Sequence, residues 1–96
     1  DIVRHAPNTR KRAKAMQKLA NLGMRTYVTC EPLIQFDLFE MVELVRMCFP
    51  VQVNIGRNSR QDITLPEPTR NEVQALITGL QKFTRVVVKS NAKCWI

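Results

Sequence analysis

The sequence is poor in cysteine, and the few it has are badly placed for chemistry. Cys30, Cys48 and Cys94 are odd in number, far apart and without a CxxC pair. That spacing argues against a disulfide framework and against a zinc site, and it suits a reducing compartment, hence a cytoplasmic protein. Long apolar runs are also missing. None approaches the roughly 18–20 residues that span a bilayer, so no membrane partner is expected. Aromatic residues make up 6% of the chain and are not interleaved with the charges, so a base-stacking platform is not indicated. Acidic residues are scarce where basic ones gather: Arg4, Arg10, Lys11, Arg12, Lys14, Lys18 and Arg25 are opposed only by Asp1 in the first 25 residues.

What is present is enough for one small domain. The 96 residues, 45% of them hydrophobic, can hold a single modest core across residues 1–96. The net charge of +7 is uneven. Its basic stripe is a phosphate-binding surface, a solvated helix face, or a surface that pairs with acids elsewhere. On the first reading Lys11, Arg12 and Lys14 would contact nucleic acid. His5 stands alone and reads as surface. The chain starts at Asp1 rather than Met, which leads us to expect a processed product or a piece of a longer protein.

Periodicity gives three helix–strand units. From Thr9 to about Leu22 the residues read as a helix, with Asn8 or Thr9 as N-cap, Ala13, Met16, Leu19 and Ala20 on one stripe, and Gly23 as its stop. "RTYVTCE" follows as a strand. Asp37 and Glu40 have capping-box spacing before Leu38, Met41, Val42, Val45 and Phe49, which repeat at helical spacing. Pro50 ends that helix, and "VQVNIG" is the second strand. After a polar loop, Thr69 and Glu72 form a second capping box ahead of Val73, Leu76, Ile77, Leu80 and Phe83. "RVVVK" is the third strand, and "SNAKCWI" reads as a tail. Helical crossovers between successive strands make the sheet parallel.

Side chains alternate along a strand. Val28 and Cys30 share one face of the first, opposite Tyr27, Thr29 and Glu31. Val51, Val53 and Ile55 oppose Gln52, Asn54 and Gly56 in the second. Val86 and Val88 oppose Val87, Lys89 and Asn91 in the third. Each strand thus has an apolar side for helices and a side that turns polar toward its carboxyl end. A doubly wound sheet, covered on both faces, would read as continuous apolar runs. The fold class expected is therefore α/β: three α–β units with a small parallel sheet, forming a sector of a partial (β/α) barrel. In such barrels chemistry sits at the carboxyl ends of the strands, where Glu31, Asn54 and Lys89 would meet. Pro32 would end the first strand and fix where Glu31 points. Otherwise the polar face simply meets water.

Three segments together resemble the second half of radical S-adenosylmethionine (radical SAM) barrel enzymes. In "APNTRKRAKAMQKLANLGMRTYVTCEPL" the resemblance lies in Ala6 and Pro7 opening a helix, Arg12 within it, Gly23 ending it, and a strand closing on Glu31-Pro32. "FDLFEMVELVRMCFPVQVNIGRNS" continues it with a strand ending Asn54-Ile55-Gly56. "LPEPTRNEVQALITGLQKFTRVVVKSN" completes it. The nearest likeness is to phage and bacterial members of unassigned activity, distantly similar to spore photoproduct lyase. The resemblance implies S-adenosylmethionine and a 4Fe-4S cluster as cofactors of the whole protein. It places Glu31, Asn54 and Gly56 near the cofactor, with Gly56 letting backbone approach a ligand. Arg57, Asn58, Lys89 and Asn91 would lie toward substrate. The family's CxxxCxxC motif, whose thiolates hold the cluster, is not found in this sequence.

Three readings follow. The chain is the carboxyl-side part of such a barrel, inactive without the amino half. Alternatively, it is a stand-alone basic α/β module that binds nucleic acid through its first helix. The third is a non-catalytic relative whose open barrel edge is covered by a second copy of itself.

Overall fold

The computed structural model describes residues 6–58, 60 and 62–96; His5 and the other residues before Ala6 lie outside them. Helices and strands alternate: α1 Ala6–Asn21, β1 Tyr27–Cys30, α2 Leu38–Met47, β2 Gln52–Ile55, α3 Arg70–Leu80 and β3 Arg85–Val88. A short 3-10 helix, Ser90–Trp95, closes the chain. The three strands form one parallel sheet in the order β1-β2-β3. The α/β class and its three α–β units are thus those the sequence calls for.

Local signals explain the element ends. Gly23 sits at φ 87, a conformation that suits glycine, while Met24 N–H bonds Leu19 C=O at 3.1 Å and Gly23 N–H bonds Ala20 C=O at 2.9 Å. These bonds satisfy carbonyls that the end of α1 would otherwise leave bare. Asp37 caps α2 by accepting the Glu40 backbone N–H at 2.8 Å. The capping box of α3 is complete: Thr69 Oγ1 accepts Glu72 N–H at 3.2 Å, and Glu72 Oε1 accepts Thr69 N–H at 2.8 Å.

Packing is one-sided. Val53, Ile55, Val73, Leu76 and Leu80 are fully buried, joined by Leu33, Val45, Ala92 and Trp95, with Val28, Cys30, Val86 and Val88 against them. Helices α2 and α3 and the 3-10 helix therefore cover the Val53/Ile55 face of the sheet, and α1 packs beside α2. Burying each such aliphatic side chain contributes about 1.5–3 kcal/mol, so this face holds the fold together. Two hydroxyls tie the helix ends to the sheet's amino edge: Thr26 Oγ1 donates to Cys48 O at 3.0 Å, and Thr84 Oγ1 to Pro50 O at 2.9 Å. No helix among the described residues is long and apolar enough to cross a membrane.

Four details depart from the sequence reading. Helix α1 starts at Ala6, so Asn8 and Thr9 lie inside it instead of capping it. Of its expected apolar stripe, Ala13 is buried but Leu19 is 41% exposed, in a helix whose main packing is against α2. Phe49, assigned to the stripe of α2, lies beyond that helix at φ 47 and is 58% exposed. The supposed tail is a helical turn that drives Ala92 and Trp95 into the core.

Candidate functional site

The uncovered face of the sheet is laid out in rows by the register. Tyr27, Gln52 and Arg85 are level with one another, and Thr29, Asn54 and Val87 form the next row. Beyond the last paired residues the pattern runs one step further. Gly56 N–H bonds Cys30 C=O at 3.0 Å, and Lys89 N–H bonds Ile55 C=O at 2.8 Å. Glu31, Gly56 and Lys89 thus make a third row, at the carboxyl ends of all three strands.

In that row Lys89 Nζ donates to Glu31 Oε1 at 2.5 Å, although the strand between them belongs to neither residue. Glu31 can make this reach because it lies over Gly56. A Cβ at position 56 would come within 2.9 Å of Glu31 Cδ and 3.0 Å of its Cγ. The sequence reading reserved the space above Gly56 for a ligand; the structure fills it with the Glu31 side chain. The Glu31–Pro32 peptide bond is cis. One row down, Asn54 Oδ1 accepts from Gln52 Nε2 at 2.7 Å, and Asn54 Nδ2 faces Thr29 Oγ1 at 3.4 Å. Glu31, Asn54, Gly56 and Lys89 are therefore brought together on one surface.

The remaining candidates serve the loops. Arg57 grips Glu67 with two parallel bonds, Nε to Oε2 and Nη2 to Oε1, both 2.9 Å. The same guanidinium lies 5.7 Å from the Trp95 ring centre and 3.5 Å from Cys94 Sγ. This pairing holds the Glu67 carboxyl below its usual range, through the Arg57 hydrogen bonds first and charge second, and raises Arg57 in turn. Asn91 reads the backbone of Arg57 at both ends, accepting its N–H at 3.2 Å and donating to its carbonyl at 3.0 Å. Asn58 donates to Ile63 O at 2.8 Å and accepts Arg60 N–H at 3.0 Å. Arg57, Asn58 and Asn91 thus close the loop between β2 and α3 and fasten it to the 3-10 helix. Glu67 was missed from sequence, where nothing but a charge between Pro66 and Pro68 distinguished it.

Lys11, Arg12 and Lys14 are exposed on α1, which packs on α2 within the helical layer, so they do not join this surface.

An iron–sulfur cluster does not fit the cysteines of this chain. Cys30 lies on the core face of β1, where burial pushes its thiol up to about 11. Burial also raises Cys48, whose Sγ points to Leu44 O at 3.4 Å. Cys94 is exposed on the 3-10 helix. Cluster ligation needs thiolates gathered at one place, and among the described residues no trio of His, Cys, Asp or Glu is so gathered.

What the surface can do is bind polar groups. Glu31 accepts hydrogen bonds only, Lys89 donates only, and the amides of Gln52 and Asn54 do both. The side chain of Glu31 is 25% exposed and that of Lys89 47%. An ion pair so open to water contributes about 0–1 kcal/mol, so a ligand that takes either partner meets little resistance. The chain matches no known protein family, no curated protein and no solved structure.

Proposed function

We propose that the chain is the carboxyl-side sector of a (β/α) barrel of the radical S-adenosylmethionine type, and that its bare sheet face lines part of the cofactor and substrate cavity. One observation carries the reading: among the described residues, three parallel strands have helices on one face only, and the other face ends in a level row of Glu31, Gly56 and Lys89. In a sheet built to stand alone, a carboxylate and an ammonium lined up over a glycine at the strand ends contribute no more than about 0–1 kcal/mol. A barrel sector uses those positions for its ligand.

Within that reading Glu31 accepts hydroxyl or ammonium groups, Lys89 donates to a carboxylate or phosphate, and Thr29 and Asn54 form the floor. Arg57, Asn58 and Asn91 hold the loop that rims the cavity. The radical chemistry would come from a cluster held by another part of the barrel, since this chain's cysteines do not fit it. The sector alone does not carry out the reaction.

The coding sequence upstream of Asp1 tests this directly. An in-frame CxxxCxxC supports the reading, and a stop codon close upstream sinks it. Calorimetric titration of the 96-residue chain with S-adenosylmethionine should give weak binding or none; submicromolar affinity would show a complete site and overturn the sector reading.

A further inference from the structure

The helical layer carries a second surface, which the cavity does not use. Helix α1 contains five basic residues, Arg10, Lys11, Arg12, Lys14 and Lys18, and no acid. Neighbouring residues on a helix point about 100° apart, so these five do not form one stripe. Lys11, Lys14 and Lys18 fall within an arc of about 60° and span about 10 Å along the axis. Arg12 points well away from them. Arg10 reaches across to α2, with Nη1 3.8 Å from Met47 Sδ. The opposite side of the helix is the one committed to packing, with Ala13 buried and Met16 and Ala20 partly so. All three lysines are exposed.

Such a cluster works against the helix. Like charges three and four residues apart destabilise it by a few tenths of a kcal/mol per pair. Lys18 is compensated by its place in the last turn, where a cation suits the helix dipole. Lys11 and Lys14 have no such role. A polyanion supplies the charge that α1 lacks. A membrane surface would also supply negative charge, but an interfacial helix needs an apolar face free to sink into lipid. The apolar side of α1 is turned to α2, and the exposed large apolar residues near it, Leu19, Leu22 and Met24, gather at its carboxyl end instead of lining a face.

We propose that Lys11, Lys14 and Lys18 form a contact surface for the phosphate backbone of a nucleic acid, bound without regard to sequence. Arg12, adjacent to Lys11 in the chain, takes no part. The surface is independent of the strand-end site and stands whether or not the barrel reading does.

Fluorescence anisotropy with a labelled mixed-sequence DNA duplex and a labelled RNA hairpin tests it, using the full chain across a salt series. Three phosphate contacts predict that log K falls with log salt at a slope of about −2.7 for duplex DNA. Lys11→Gln/Lys14→Gln should reduce that slope by about 2 and weaken both probes. Arg12→Gln, and the equal charge removal Lys82→Gln/Lys93→Gln, should leave the slope nearly unchanged. A stronger effect on one probe than the other identifies which nucleic acid is bound. The proposal is overturned by salt-independent binding, by equal losses in the two double variants, or by lysine-dependent binding to phosphatidylserine vesicles with none to either nucleic acid.

Discussion

The two faces of the sheet come from the same twelve paired residues, yet they are under opposite physical demands. On one, Val53 and Ile55 lose all contact with water beneath Leu76, Leu80 and Val73. On the other, Gln52 and Asn54 of the same strand bond sideways to each other and to Thr29. The first face is set by volume, and every methylene counts. The second is set by hydrogen bonds among groups that water could satisfy equally well. Stability resides on the first face; on the second, side chains can exchange partners with water at little cost.

Substitution tests that division. The largest effect is expected from Leu76→Ala, which leaves a cavity in the fully buried layer and should cost about 2–5 kcal/mol in urea unfolding. Asn54→Ala, on the bare face of the same sheet, should change stability by less than about 1 kcal/mol. Equal losses would erase the distinction between the faces.

The next effect lies where the bare face is tightest. Gly56→Ala pushes a methyl group against the far end of the flexible Glu31 side chain, which must swing aside from Lys89, and should cost about 1 kcal/mol. The change Glu31→Ala should be mild alone and should restore most of that loss in the double variant. A double variant as unstable as Gly56→Ala would place the strain in the backbone.

Comparable is Thr69→Ala, which removes the cap of α3 and should cost about 1 kcal/mol. Asp37→Ala should do the same for α2.

The smallest effect is a pH dependence. Because Arg57 depresses the Glu67 carboxyl below its ordinary 4.5, the folded chain binds that proton less readily than the unfolded chain. The contribution is therefore complete above about pH 4.5 and lost as pH falls through the lower folded value. Glu67→Gln should flatten the acid limb of a melting-temperature profile and leave the neutral region almost unchanged. A variant that changes only the neutral region would contradict the pairing.

Most of the covered face was legible in the sequence, because helical and strand periods both point at a core. Val53, Ile55, Val73, Leu76 and Leu80 follow from spacing, and the caps at Asp37 and Thr69 from residue type. Trp95 and Ala92 were not legible, since a six-residue 3-10 turn is too short to show a period. Leu33, which is buried, sits in a loop and has no period at all. On the bare face, alternation showed that Glu31 and Asn54 share a side. It set Lys89 at the same strand ends too, but did not show that Glu31 would lie over Gly56 and pair with that lysine. Nor could it show that Arg57 would turn to Glu67, since that contact depends on how a loop folds back.

The fit of Glu31 over Gly56 carries a consequence for how this chain can change over time. Glycine at position 56 is favoured by the length of a side chain just past another strand, 25 residues earlier. If Glu31 shortens in some descendant, the constraint on Gly56 is lifted at the same moment. The two positions should therefore drift as a pair, and a lineage that keeps the glycine while losing the long acid would have found another use for the gap.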